Sequence, residues 1–259
     1  MIARLLLALT AMLAALAGSL PASALTPTWG YRVVRSYPHD PAAFTEGLFF
    51  HNGQLFESAG LEGHSWVRRV DLATGRALQQ ATLPPQYFGE GSLVWGNRLI
   101  QLTWRSQIGF VFDLRTFRPI STFGYRGEGW ALTTDGRRII MSDGTPDLRF
   151  LDPVTLQETG RLRVTDEGRP VARLNELEWV NGEIFANIWE TDRIARINPR
   201  TGQVTGWIDL TGLLPPEQRA GRQVDVLNGI AWDGRRLFVT GKLWPRLYQI
   251  ELTPPGRRR

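Results

Sequence analysis

The chain has 259 residues, 42% of them hydrophobic, enough to bury one sizeable core or two small ones. It contains no cysteine, which excludes a disulfide framework, thiol redox chemistry and a Cys nucleophile. The formal charge is +5, but the arginines are scattered among Asp and Glu on turn-like segments such as Gly136-Arg137-Arg138, with no basic stripe, so a nucleic-acid partner is not expected.

Residues 1–24 carry one positive charge at Arg4, then a Leu/Ala run, and close on Ala22-Ser23-Ala24, the small-x-small pattern of a signal peptidase site. This predicts a cleaved export signal and a periplasmic or secreted domain over residues 25–259. The alternative is an anchored N-terminal helix, against which stand the short apolar run from Leu5 to Ala17 and the lack of stop-transfer charges. No membrane contact is expected after cleavage.

Beyond the leader, long helical periodicity is missing. Short alternating segments recur between Asn-Gly, Asp-Gly and Thr-Gly turns, which predicts an all-β fold. Tyr31 to Arg35 is the first, an unpartnered strand. Then five repeats follow, opening on Glu46-Gly47-Leu48, Glu90-Gly91-Ser92, Glu128-Gly129-Trp130, Asn175-Glu176-Leu177 and Asn228-Gly229-Ile230. In each, a turn leads to a second strand, such as Leu99 to Thr103, and a third, such as Ile108 to Asp113; four of the five then enter an Asp/Asn-x-x-Thr-Gly type of turn before an outer strand. Repeats of roughly forty residues with four antiparallel strands predict one five-bladed β-propeller domain. The fifth repeat stops at Glu251 after three strands, so the N-terminal strand is expected to complete the last blade and close the ring. The longest insertions, Asp166 to Arg173 and Thr211 to Gly221, each precede the first strand of a repeat and are expected on the rim of the mouth.

The inner strands of a propeller start near its axis, so the repeat openings converge on one mouth. That mouth would present Glu46, Glu90, Glu128, Asn175 and Asn228 among Phe44, Phe88, Trp104, Trp130 and Trp189. Carboxyls set among aromatics are desolvated, which raises a Glu pKa towards the range of a general acid or base. Glu128-Gly129 is read instead as a turn, and Trp95, Trp179, Trp207 and Trp232 as packing residues. The basic residues are otherwise all Arg, and the single lysine is Lys242. It marks either a role for a compact ammonium or a chance survivor. His39, His51 and His64 lack ligand spacing and are read as surface or capping residues; no Gly-x-Ser-x-Gly, His-Glu-x-x-His or phosphate loop is present.

The runs Tyr37-Pro38-His39-Asp40-Pro41-Ala42-Ala43-Phe44-Thr45-Glu46-Gly47-Leu48, Phe88-Gly89-Glu90-Gly91, Leu174-Asn175-Glu176-Leu177-Glu178-Trp179 and Leu227-Asn228-Gly229-Ile230-Ala231 resemble, in order, the plant and bacterial type of glutamine cyclotransferase. The resemblance implies an enzyme that closes the N-terminal glutamine of a peptide to pyroglutamate with loss of ammonia. That reaction requires no metal and no organic cofactor, and a monomer is expected. Carried over by position, the resemblance puts Phe88, Glu90, Trp104, Trp130, Asn175, Trp189 and Lys242 in the pocket; from the needs of the reaction Glu90, Asn175 and Lys242 are expected in catalytic roles, with Phe44, Glu46, Phe88, Trp104, Trp130 and Trp189 around the substrate. Glu46 is a departure, since relatives often carry Gln there. Two other readings stay open: a non-catalytic propeller that binds peptide termini or carbohydrate, and a lactonase or hydrolase holding a divalent ion on Glu46, Glu90, Asn175 and Asn228.

Overall fold

The structure, a computed structural model, describes residues 25–256. The predicted export signal therefore lies outside the described residues. Strand β1 (Thr28–Pro38) is followed by a four-stranded sheet of β2 (Thr45–His51), β3 (Gln54–Ala59), β4 (Trp66–Val70) and β5 (Ala77–Thr82). A second sheet holds β6 (Gly89–Trp95), β7 (Arg98–Thr103), β8 (Ile108–Asp113) and β9 (Pro119–Gly124), and a third holds β10 (Ala131–Thr134), β11 (Ile139–Ser142), β12 (Asp147–Leu151) and β13 (Glu158–Arg163). A small ribbon, β14 (Thr165–Asp166) with β15 (Arg169–Pro170), fills the first insertion. Next come β16 (Leu174–Val180), β17 (Glu183–Ile188), β18 (Arg193–Ile197) and β19 (Val204–Asp209), then α1 (Pro216–Arg219) in the second insertion, and finally β20 (Leu227–Trp232), β21 (Leu237–Gly241) and β22 (Arg246–Thr253).

The last strands and β1 form one eight-stranded sheet in the order β16-β17-β18-β19-β1-β22-β21-β20. β1 runs antiparallel to β22 from Gly30 opposite Thr253 to Pro38 opposite Arg246, and its start touches β19 in parallel at Thr28 and Trp29. The N-terminal strand thus covers the edge that β22 would otherwise expose. Deleting residues 25–36 removes most of that ladder. At about 0.5–1.5 kcal/mol per lost hydrogen bond, the melting temperature is expected to fall by about 10 °C or more, read by circular dichroism.

Local chemistry explains the strand lengths. Asn52-Gly53 and Asn181-Gly182 take φ of 49° and 74°, and 49° and 88°, the left-handed pair that a two-residue hairpin needs to match strand twist. At the ends of β4, β8 and β12, one side-chain oxygen of Asp71, Asp113 or Asp152 accepts both the backbone N–H and the hydroxyl of the Thr three residues on. Such Asx turns offer the backbone an alternative to the ladder and stop the strand.

The first strands β2, β6, β10, β16 and β20 lie side by side in that order, and β20 returns to β2. Apolar layers fill the space between successive sheets. Phe49, Phe56 and Val67 meet Val94, Leu99 and Phe110; Leu93, Ile100 and Val111 meet Leu132, Ile139 and Met141. Leu48 and Leu55 meet Tyr37, Ala231, Phe238 and Leu247, so the last sheet packs on the first. Each fully buried Leu, Ile or Phe contributes about 1.5–3 kcal/mol, and none of these layers exists until the neighbouring sheet is in place. Near the axis the strands approach too closely for a side chain. A Cβ on Gly91 would lie 2.5 Å from Ala131 Cα, and Gly91 N–H donates to Trp130 O at 2.9 Å.

One register differs from the sequence reading. In the third sheet Trp130, not Glu128, stands where Glu46, Glu90, Asn175 and Asn228 stand in the others. Trp130 precedes the hairpin end at Thr134 by the same interval that separates Asn228 from Trp232. The Glu128-Gly129 pair lies upstream of the inner strand, separated from it by Trp130.

Candidate active site

The starts of the inner strands and the loops beside them enclose a cavity of about 340 Å³. Phe44, Glu46, Phe88, Glu90, Trp104, Trp130, Asn175, Trp189 and Lys242, the nine residues singled out from the sequence, all line it. Glu190, Asp225 and Val226 line it as well. These three sit on connections with no motif of their own, and nothing in the sequence marked them.

At the floor, Lys242 Nζ donates to Glu46 Oε1 at 2.6 Å, with only 8% of the lysine and 2% of the glutamate side chain exposed. Asn228 is buried behind this pair and lines no part of the cavity wall; its Nδ2 donates to Glu46 Oε2 at 3.2 Å and to Thr45 O at 2.9 Å. The Lys242 ammonium also lies 4.6 Å from the Phe44 ring centroid, a cation–π contact. Glu90, itself buried, lies close enough to Glu46 for the two carboxyls to feel each other's charge. Burial, then the neighbouring Glu46 charge, pushes the Glu90 carboxyl well above its ordinary value, against the pull of Lys242. Burial also raises Glu46, but Lys242 opposes that shift directly. Lys242 thus favours the charged form of Glu46, its ion-pair partner, more strongly than that of Glu90. Asn175 Oδ1 has no hydrogen-bond partner among the described residues, and the side chain makes no hydrogen bond that would commit its amide N–H groups elsewhere.

The proposed divalent set of Glu46, Glu90, Asn175 and Asn228 already has its charge compensated from within. An ammonium rests on one Glu46 oxygen and an amide N–H on the other, which is not how a hard cation is cradled.

Aromatic rings form the walls. Trp130 and Trp189 meet edge to face with centroids 5.6 Å apart, and Phe88 lies 5.5 Å from Trp104 and 6.1 Å from Phe44. Gly144, at φ +79°, leaves room for Trp130: a Cβ there would come within 2.6 Å of the indole. Glu128 corrects its reading as a simple turn residue. Its Oε2 accepts from Trp104 Nε1 at 2.7 Å and from Trp130 Nε1 at 2.9 Å, and its Oε1 accepts from Arg105 Nε at 3.0 Å. Burial would raise this carboxyl, but the bonds from Trp130, Arg105 and Trp104 more than offset it and hold Glu128 below the ordinary range. It is a clasp on two walls of the cavity. Glu128→Ala is expected to leave the fold intact while raising KM about tenfold through loosened indoles, with a change in tryptophan fluorescence as a second readout.

His39, expected as a surface or capping residue, is buried. Its Nδ1 donates to Trp244 O at 2.6 Å and its Nε2 faces Glu57 Oε1 at 2.8 Å, while Thr45 Oγ1 donates to the same Glu57 oxygen. With both ring nitrogens facing acceptors, the imidazolium fits best. Its pKa is raised because the Glu57 charge and hydrogen bond outweigh burial, which acts the other way. The pair braces Thr45, the neighbour of Glu46, and touches no part of the cavity.

Fold and cavity together define an all-β protein with a desolvated pocket, in which two carboxyls stand beside an ammonium and an unpaired amide. The glutamine cyclotransferase family model matches residues 5–252. Over 225 residues the chain is 49% identical to a glutaminyl-peptide cyclotransferase of Arabidopsis thaliana, covering 85% of this chain and 70% of the relative. The crystal structure of a glutaminyl cyclase from Myxococcus xanthus superposes with a TM-score of 0.81 at 37% identity, covering 88% of this chain and 98% of that one. The chain belongs to the glutamine cyclotransferase family.

Proposed function

We infer that this protein is a glutaminyl-peptide cyclotransferase that converts the N-terminal glutamine of peptides or proteins to pyroglutamate, releasing ammonia. The observation that carries the reading is a cavity of single-residue size that gathers the desolvated carboxyl of Glu90, the Glu46–Lys242 pair and the uncommitted amide of Asn175.

The chemistry needs a neutral α-amine as nucleophile, a partner for the oxyanion formed at the side-chain carboxamide, and a proton for the departing nitrogen. Glu90 as carboxylate takes a proton from the α-amine as nitrogen attacks the carboxamide carbon, then returns it to the amide nitrogen, which leaves as ammonia when the C–N bond breaks. Asn175 and Lys242 are the donors for the oxyanion, each worth a few kcal/mol in such sites. Trp104, Trp130 and Trp189 exclude water and Phe44 and Phe88 pack the aliphatic stem. Nucleophile and electrophile belong to one residue, so holding the side chain folded for attack supplies much of the gain.

The same reading gives the architecture as a five-bladed β-propeller, in which the eight-stranded sheet is two blades joined through β1; the side-by-side inner strands and the packing of the last sheet on the first support it. It also places the enzyme, as a monomer, in the periplasm or outside the cell after removal of residues 1–24. N-terminal sequencing and sedimentation of the protein recovered from an expressing host test both points. The test of function is ammonia release and loss of the free N-terminus with a Gln-initiated dipeptide. A folded protein without turnover would leave a propeller that only binds its ligand.

A further inference from the structure

Lys242 stands in a turn between β21 and β22, closed by Trp244 N–H donating to Gly241 O at 3.2 Å. Leu243 takes φ of 60° there, left-handed backbone that a leucine keeps only where its surroundings hold it. Two sets of bonds do so. On one side, Lys242 N–H donates to Val226 O at 2.9 Å and Lys242 O accepts from Asp225 N–H at 3.0 Å, but that rim loop belongs to no strand. The tie to the sheets runs the other way, into the residues that lead to β2: Leu243 N–H donates to Ala43 O at 2.7 Å, His39 N–H to Pro245 O at 3.1 Å and His39 Nδ1 to Trp244 O at 2.6 Å. The other ring nitrogen of His39 bonds Glu57 on β3, which also accepts from Thr45 Oγ1. Thr45 O in turn accepts from the Asn228 amide that bonds Glu46. One imidazole thus spans from the Lys242 turn to the pair of strands that carries Glu46, with 5% of its side chain exposed.

We propose that His39 is a positioning residue for the cyclisation: it pins the Lys242 turn to the first sheet and so sets where the ammonium stands in the cavity. This rests on the cyclotransferase reading and deepens it. His39 lies outside the cavity and acts only through the turn. Donating to both acceptors at once takes an imidazolium. Burial works against that form, but the Glu57 charge and hydrogen bond, then Trp244 O and Asp40, outweigh it. Asp40 is itself matched by Arg68 at 2.7 Å. The two ends of the ring can be separated by side chains of similar reach, since an Asn amide places an N–H where Nδ1 stands and a Gln amide places one where Nε2 stands. His39→Asn therefore keeps the bond to Trp244 O and gives up Glu57. His39→Gln keeps Glu57 and lets the turn go. A catalytic group misplaced by about 1 Å costs about 10²-fold in rate, so the two variants should differ in turnover.

The test measures kcat and KM for a Gln-initiated dipeptide, the melting temperature and amide hydrogen exchange in the wild type and both variants. The expected result is a kcat about 10- to 100-fold below wild type in His39→Gln and within about threefold of it in His39→Asn, with KM within a few-fold in both. Exchange at the Leu243 N–H should quicken about tenfold or more in His39→Gln alone. A histidine that only supports the fold would lower the melting temperature in both variants and separate them in neither turnover nor exchange. Equal kcat in the two folded variants, whether high or low, overturns the proposal. Should either fail to fold, the same pair made together with Glu57→Gln, which leaves no buried carboxylate stranded, decides by the same comparison. A wild type without turnover sinks the cyclotransferase reading itself, while exchange at Leu243 still reports whether His39 holds the turn.

Discussion

Glu90→Gln is expected to lower kcat for a Gln-initiated dipeptide by about 10²–10⁴ while leaving KM within a few-fold, the range for loss of a single general acid–base group. Glutamine at this position keeps the volume, but it cannot carry a proton from the attacking to the leaving nitrogen. Stability should move the other way. The folded-state pKa of Glu90 is raised well above its ordinary value, first by burial and then by Glu46. The folded protein therefore holds this proton more tightly than the unfolded chain does, and wild-type stability is lost as pH rises from the ordinary glutamate value, about 4.3, towards the folded one. The variant lacks that slope, so its melting temperature should exceed that of the wild type at neutral pH and converge on it in acid. Loss of turnover with a gain in stability separates a proton carrier from a packing residue. The pH profile gives a further check. One proton must leave the Glu90–substrate pair before attack, which puts the acid limb of kcat/KM well above the ordinary carboxylate range. In Glu46→Gln, which removes the charge that raises Glu90, the limb should move to lower pH.

How far the sequence could be read follows from which interactions are local. The Asn-Gly hairpins and the Asp-x-x-Thr turns are complete within four residues, so their chemistry was legible and the strands fall where they predict. The residues around the cavity were legible for another reason: four inner strands place a polar residue at the same point of a repeated unit, and the family resemblance added the aromatics. The third unit was misaligned because Glu128-Gly129 copies the Glu-Gly of Glu46 and Glu90, while the register is set by Trp130 and its contact with Gly91 of the preceding sheet. The role of Glu128 needs Trp104, from another sheet, and could not be seen in a turn. The burial of His39 depends on Trp244 O, 205 positions away, and on Glu57. Glu190 and Asp225 enter the cavity from loops whose course is fixed only by the closed ring.

Lys242→Met should cost roughly 3–5 kcal/mol of stability, on the order of 10 °C in melting temperature, because it leaves the Glu46 carboxylate buried without its partner. The lost attraction is only part of this. Glu46 would still accept from Asn228, but the charge that offsets its desolvation would be gone and its pKa would climb further than burial already drives it. A carboxyl whose folded pKa is raised takes up a proton on folding, so the defect should shrink as pH falls towards the ordinary glutamate range and widen above it. Activity should fall by about 10²-fold or more through loss of a donor to the oxyanion. Adding Glu46→Gln removes the stranded charge, and the double variant is expected to regain most of the stability and none of the turnover. Thermal melts across pH beside initial rates separate these two consequences of one ammonium. If the double variant stayed as unstable as Lys242→Met, the lysine would be holding the fold through packing rather than charge; if it regained activity, Lys242 would be a brace for Glu46 and Asn175 alone would serve the oxyanion.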